Sequence, residues 1–138
     1  MTPLLVDTSA WCALADSCDR WHEPARACRD GLVGQRGFLV TNYTLDELYT
    51  ALLMNRGHKT AVEFKRGLDA LIAERLLEVV WVTPQLAAKA WDVFERFNVD
   101  KEWSFTDCVS YVVMKERGLT EAFAFDHHFD QMGFVRLP

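Results

Sequence analysis

Three things are scarce in this chain: paired cysteines, positive charge and long apolar runs. Its four cysteines, Cys12, Cys18, Cys28 and Cys108, include no C-x-x-C pair. Their spacing does not make the disulfide framework of a small secreted domain, and it points to reduced thiols in a cytoplasmic protein. A zinc site built from Cys12, Cys18, His22 and Cys28 fits no short-knuckle spacing. Lys and Arg number 15 against 20 acids, a net charge of −5. That sign argues against binding nucleic acid through a basic surface alone. No apolar stretch approaches the ~18 residues of a membrane helix. The opening Met1-Thr2-Pro3-Leu4-Leu5-Val6-Asp7 has no basic region, so it does not read as a signal peptide. Proline (4) and glycine (7) are too few for a low-complexity linker, and no internal repeat is visible.

What is present suits one globular domain spanning residues 1–138. Half of the residues are hydrophobic and a quarter charged. A chain of this length buries roughly 68% of its unfolded surface, enough for a core without staples.

Strand and helix signals alternate. Leu4 to Val6 reads as a short buried strand, with Thr8 or Ser9 capping a helix through Trp11 and Leu14. Asp16 to Arg20 is a polar loop. Pro24 sits early in a second helix that ends near Gly31 to Gly34. Phe38 to Val40 is a second strand. Thr44-Leu45-Asp46-Glu47 reads as a capping box opening a helix to Arg56, stopped by Gly57. Ala61, Phe64, Leu68, Leu71, Ile72 and Leu76 follow at helical steps. Glu78 to Val82 is β-branched. Thr83-Pro84 opens the next helix, and Ser104-Phe105-Thr106-Asp107 opens another that ends at Gly118. Ala122 to Phe125 is a strand, and Phe134 to Val135 a last edge strand. This alternation predicts an α/β fold, a short central parallel sheet flanked by helices on both faces. Such sheets bind ligands beyond the carboxyl ends of their strands.

Acids stand where that rule directs attention. Asp7 and Asp126 each follow an apolar strand. Glu47 and Asp107 each lie three residues after a capping hydroxyl, where helix N-termini favour negative charge. Singly, each has an ordinary reading as a strand-end or capping residue. Together, four carboxylates on one sheet edge would repel, and a hard divalent cation, Mg²⁺ or Mn²⁺, is the natural compensation. Such a site activates water and stabilises charge on a phosphoryl group.

Leu5-Val6-Asp7-Thr8-Ser9, Thr44-Leu45-Asp46-Glu47-Leu48, Ser104-Phe105-Thr106-Asp107 and Phe125-Asp126-His127-His128-Phe129, with Gly133-Phe134 after it, resemble in order the signature of the PIN domain. The chain is most similar to the VapC-type toxins of bacterial toxin–antitoxin pairs, and Trp21-His22 fits that group. The resemblance implies a metal-dependent ribonuclease with Asp7, Glu47, Asp107 and Asp126 as its metal-binding, catalytic quartet. Ser9 and Thr106 would be hydroxyls supporting those acids. It also implies a homodimer and a cognate antitoxin that silences the cleft. The water activated at the metal would attack an RNA phosphodiester in line, leaving 5′-phosphate and 3′-hydroxyl ends. One departure stands out. The family often carries a hydroxyl two residues before the fourth acid, and here that residue is Ala124.

Other residues draw weaker expectations. His127 and His128 are adjacent, so their side chains should diverge and read as loop or cap histidines. Asp46 lies about 100° around the helix from Glu47 and reads as solvated. Arg56, His58, Lys59, Lys65 and Arg66 form a basic cluster, with Arg56 and Lys59 as candidate RNA contacts. Trp11, and Trp21 at the rim, are candidates for stacking an unpaired base, against the plainer reading of core packing. Two rivals remain open: a non-catalytic PIN-like module binding RNA or protein, favoured by Ala124, and a phosphoryl-transfer domain with Asp7 phosphorylated. The second is poorly served, because Ser9 stands where a dehalogenase-like enzyme needs a second Asp.

Overall fold

The computed structural model describes residues 2–138. Met1, the first residue of the stretch read for a signal peptide, lies outside them. Five parallel strands form one sheet in the order β3-β2-β1-β4-β5: β1 (Leu4–Val6), β2 (Phe38–Thr41), β3 (Leu77–Val80), β4 (Glu121–Phe123) and β5 (Val135–Leu137). Seven helices connect them: α1 (Thr8–Ala15), α2 (His22–Leu32), α3 (Asn42–Arg56), α4 (His58–Ala73), α5 (Pro84–Phe97), α6 (Phe105–Arg117) and α7 (His128–Gln131).

Strands β1 and β2 are buried along their whole length because both sides are covered. Leu4, Val6, Phe38, Val40 and Phe123 face a core with Trp11, Leu48, Leu52 and Leu68 of α1, α3 and α4. Leu5, Leu39 and Ala122 face the other core, with Ala90, Val109, Val112 and Val113 of α5 and α6. The alternation along each strand is the two-residue pleat distributing side chains between layers.

The chain builds outward from β1 through β2 to β3, then crosses back to place β4 on the other side of β1. The sheet's order therefore reverses between β1 and β4, and sheets of this kind bind ligands beyond the carboxyl ends at such a point.

Several boundaries differ from expectation. The cap of α1 is Asp7, whose carboxylate accepts the Ser9 N–H, not Thr8 or Ser9. Helix α3 starts at Asn42 with Thr41 as cap, so the Thr44–Glu47 capping box does not form. Thr44 lies inside the helix and Glu47 one turn deeper than expected, beyond the first turn where the dipole acts. Strand β3 stops at Val80 because the Val82 N–H leaves the ladder for the Asn42 side chain at 2.7 Å. Helix α4 ends at Ala73, and Arg75, with φ 61°, turns the chain so that Leu76 is outside it. Strand β4 is Glu121–Phe123, so Asp126 follows it by three residues rather than directly. The edge strand begins at Val135, and Phe134 is core. The capping box of Ser104 and Asp107, the Thr83 cap and the Gly57 and Gly118 stops all form.

A candidate metal centre at the carboxyl edge of the sheet

Asp7 leaves β1 and immediately caps α1. Its Oδ2 accepts from Ser9 N (3.2 Å) and Ser9 Oγ (2.6 Å). The same Ser9 hydroxyl accepts the Phe125 N–H at 3.0 Å, which ties the exit of β1 to the segment after β4. Ser9 thus supports Asp7 directly, and it also explains why Phe125 leaves the ladder. Glu47 reaches the site from α3, where its Oε1 accepts from Thr8 Oγ1 at 3.0 Å. Asp107, in the first turn of α6, accepts the Ser104 N–H on Oδ2. Thr106 is buried beside it. Asp126 accepts the His128 N–H on Oδ1 at 2.9 Å.

A pattern runs through all four acids. One carboxylate oxygen of each is held by protein donors: Asp7 Oδ2, Glu47 Oε1, Asp107 Oδ2 and Asp126 Oδ1. Among the described residues, no donor reaches the other oxygen of any of them. By donor type, carboxylates with one open oxygen each suit Mg²⁺ or Mn²⁺; among the described residues no three of the four bring ligand oxygens within 4.8 Å of one another.

Burial pushes the Asp7 carboxyl up to about 7, and Asp107 and Asp126 add to the rise while the Ser9 hydroxyl opposes it. Asp107 is also raised, chiefly by burial, with the hydrogen bond from His128 pulling the other way. Both shifts come chiefly from burial, with the neighbouring carboxylates adding to them.

Sequence reading missed His128. Its Nδ1 lies 2.9 Å from Asp107 Oδ2 and 3.3 Å from Asp126 Oδ1. The expectation that His127 and His128 diverge is corrected: ligand atoms of Asp126, His127 and His128 lie within 4.8 Å of one another, the one such group among the described residues. Both Nδ1 atoms approach Asp126 Oδ1, that of His127 at 3.7 Å. The short helix α7 turns the two rings to one side. The four acids, by contrast, frame a wider space than that group does. The available sequence signal was only the pair of polar rings directly after the fourth acid.

Other candidates fall elsewhere. Trp11 is a correction: only 3% exposed, it packs edge-on to Phe64 within the α1–α4 core and has no free ring face for a base. Trp21 is 38% exposed and stacks on Phe125 at 5.3 Å, so of the two it is the one with an accessible ring. Arg56 and Lys59 are exposed at the α3–α4 junction, Arg56 beside Asp16 at 3.4 Å. His22 Nδ1 bonds the Ala13 carbonyl at 2.7 Å and fastens α2 to α1. Cys12, Cys18, His22 and Cys28 form no metal-ligating group among the described residues. Ala124 is buried under the α5–α6 layer, and Asp126 takes its support from His128 instead.

A parallel sheet wound both ways from β1, with acids at the exit of β1, on α3, at the start of α6 and after β4, is an α/β architecture. The chain belongs to the PIN-domain family, whose model matches residues 4–135. It is 33% identical to the 23S rRNA-specific endonuclease VapC20 of Mycobacterium tuberculosis over 97% of both chains. The crystal structure of that protein, described as a Sarcin-Ricin loop cleaving toxin, superposes with a TM-score of 0.81 at 32% identity, covering 96% of both chains. The fold is shared with FitAcB from Neisseria gonorrhoeae, at TM-score 0.70 and 17% identity over 100% of this chain and 97% of that one.

Proposed function

We propose that this protein is a Mg²⁺- or Mn²⁺-dependent endoribonuclease, the toxin of a toxin–antitoxin pair. The observation that carries this reading is the set of four carboxylates, each with one oxygen anchored and one open, at the carboxyl edge of a PIN sheet. The likeness to VapC20 over nearly its whole length supports it and makes structured ribosomal RNA the first substrate to try. When bound, the cation would supply an activated water and offset charge on the phosphoryl group. Asp7, Glu47, Asp107 and Asp126 would hold it through their open oxygens. Ser9, Thr8 and Ser104 fix the other oxygens and so limit the carboxylates' rotation. No side-chain nucleophile is required. Arg56 and Lys59, both exposed, would contact phosphates away from the cleft.

A toxin acting on ribosomal RNA would work in the cytoplasm, which four unpaired cysteines suit. No helix among the described residues is long and apolar enough to cross a membrane. The antitoxin would lay an apolar segment into a groove of about 210 Å³ between α1, α2 and α4, lined by Leu14, Phe64, Leu68 and Leu71. It would place an Arg or Lys against the quartet, where guanidinium pairs with carboxylate in a fork. The protein would be a homodimer, its exposed Trp81 and Trp91 offering apolar surface for a second copy.

The binding-module reading loses its main support, since residue 124 faces the core rather than the acids. The two readings part in one experiment. Antitoxin-free protein is incubated with ribosomal RNA and with Mg²⁺, Mn²⁺ or EDTA. Cleavage with either metal and none in EDTA is expected. Equal cleavage in EDTA overturns the metal mechanism, and no cleavage with any metal favours the binding module.

A further inference from the structure

We infer that His128 is a positioning residue that clamps Asp107 and Asp126 side by side and turns their open oxygens toward a common cation. The inference rests on the reading of the site given above. Three observations carry it. First, His128 engages both acids at once: its backbone N–H is 2.9 Å from Asp126 Oδ1, and its Nδ1 is 2.9 Å from Asp107 Oδ2 and 3.3 Å from Asp126 Oδ1. Carboxylate oxygens only accept, so the ring nitrogen facing them carries the proton and donates. Second, it engages a single oxygen of each acid, Asp107 Oδ2 and Asp126 Oδ1. Asp107 Oδ2 also takes the Ser104 N–H, so each acid keeps its second oxygen free. Third, the clamp is rigidly mounted. Phe129, fully buried, seats α7 in the core, and Gln131 Oε1 accepts from Trp103 Nε1 at 2.8 Å. Trp103 lies just before α6, so α7 and the start of α6 are joined twice, once through His128 and once through Gln131.

His127 has the opposite character. Its side chain is 70% exposed, and it makes no bond across to Asp107. The two histidines are therefore not equivalent. His128 bridges two acids that are 19 residues apart in sequence, and His127 leans on the surface of the same turn. Supporting donors of this kind typically change metal affinity by 10–100-fold when removed.

The test is Mn²⁺ binding to the full-length protein, read by titration and by electron spin-echo spectroscopy without RNA. His128→Ala should weaken Mn²⁺ binding by about 10–100-fold. His128→Asn, whose amide can donate from a similar position, should recover most of the affinity. His127→Ala should bind like the wild type. The bound Mn²⁺ should show no imidazole nitrogen coupling, because His128 touches carboxylates and not the ion. Unchanged affinity in His128→Ala overturns the inference. So does a ¹⁴N coupling that disappears in His128→Asn, which would make His128 a direct ligand. Far-ultraviolet circular dichroism of each variant separates lost affinity from lost fold. A protein that binds Mn²⁺ as described and cuts no RNA overturns the ribonuclease reading and leaves the clamp standing.

Discussion

Thr8 donates its hydroxyl to Glu47 Oε1 across 3.0 Å, joining residues 39 apart in sequence. Thr8 follows the strand-end acid and Glu47 projects from the helix after β2. One hydroxyl therefore couples the orientation of the second acid to the backbone that carries the first. The same arrangement recurs with Ser9 on Asp7 and with His128 on Asp107 and Asp126.

Asp7→Asn should stabilise the metal-free protein and remove most of its response to metal. Asn caps a helix as well as Asp does, so α1 is preserved. The folded carboxyl sits near 7 against an ordinary 3.8. A raised acid favours the fold fully below its unfolded value and loses that contribution as pH rises through the folded value. The variant's advantage in melting temperature should thus be large at pH 8 and vanish near pH 4. In Mg²⁺ at 100 times Kd the wild type should gain about 2.7 kcal/mol, and the variant little of it. A lower metal-free melting temperature with an intact Mg²⁺ shift would make Asp7 merely a structural cap.

Ser9→Ala removes the strongest support of Asp7 and leaves the Phe125 N–H without its partner. Such a loss costs about 1–3 kcal/mol. Chemical denaturation should show that destabilisation, and Mn²⁺ titration should show weaker binding. Ser9→Thr, which keeps the hydroxyl, should restore both. Unchanged stability in Ser9→Ala would mean that water replaces the bond at no cost.

Leu14→Asp should weaken antitoxin binding by tenfold or more while leaving RNA cleavage by the free protein intact. Leu14 is partly exposed and lines the groove between α1, α2 and α4, so a charge there meets solvent when the groove is empty and apolar surface when it is filled. Calorimetry with the purified antitoxin measures it. Full inhibition of the variant at wild-type antitoxin concentrations would place the partner elsewhere.

Lys59→Gln should raise the KM for RNA with little change in kcat, because the residue is exposed and no acid pairs with it among the described residues. Each phosphate contact contributes about 0.7–0.9 to the slope of log affinity against log salt. The variant's slope should be shallower by about that amount. An identical slope would remove the α3–α4 junction from the RNA path.

Much of this protein was legible locally. Strands β1 and β2 are read from runs of three apolar residues, Leu4–Val6 and 38–40. Ser104 and Asp107 satisfy each other's backbone within one turn, so four residues suffice to specify that cap. Gly57 and Gly118 stop helices at positive φ, a cost set by the residue itself. The acids after β1 and at the start of α6 could be found in this way, because strand ends and helix starts are properties of short segments. What joins them is not. Thr41 rather than Thr44 caps α3, because the chain leaving β2 is already turned at that point by its pairing in the sheet. Trp11 reads in sequence as an aromatic near the cleft, and only the packing of α1 against α4 decides that its ring is enclosed. Glu47 meets Thr8, and His128 meets Asp107, across 39 and 21 residues. Sequence spacing carries no information about such pairs, since their proximity is fixed by the order in which strands add to the sheet. Sequence set which acids are the candidates, and the order of the strands decided which distant side chains meet them.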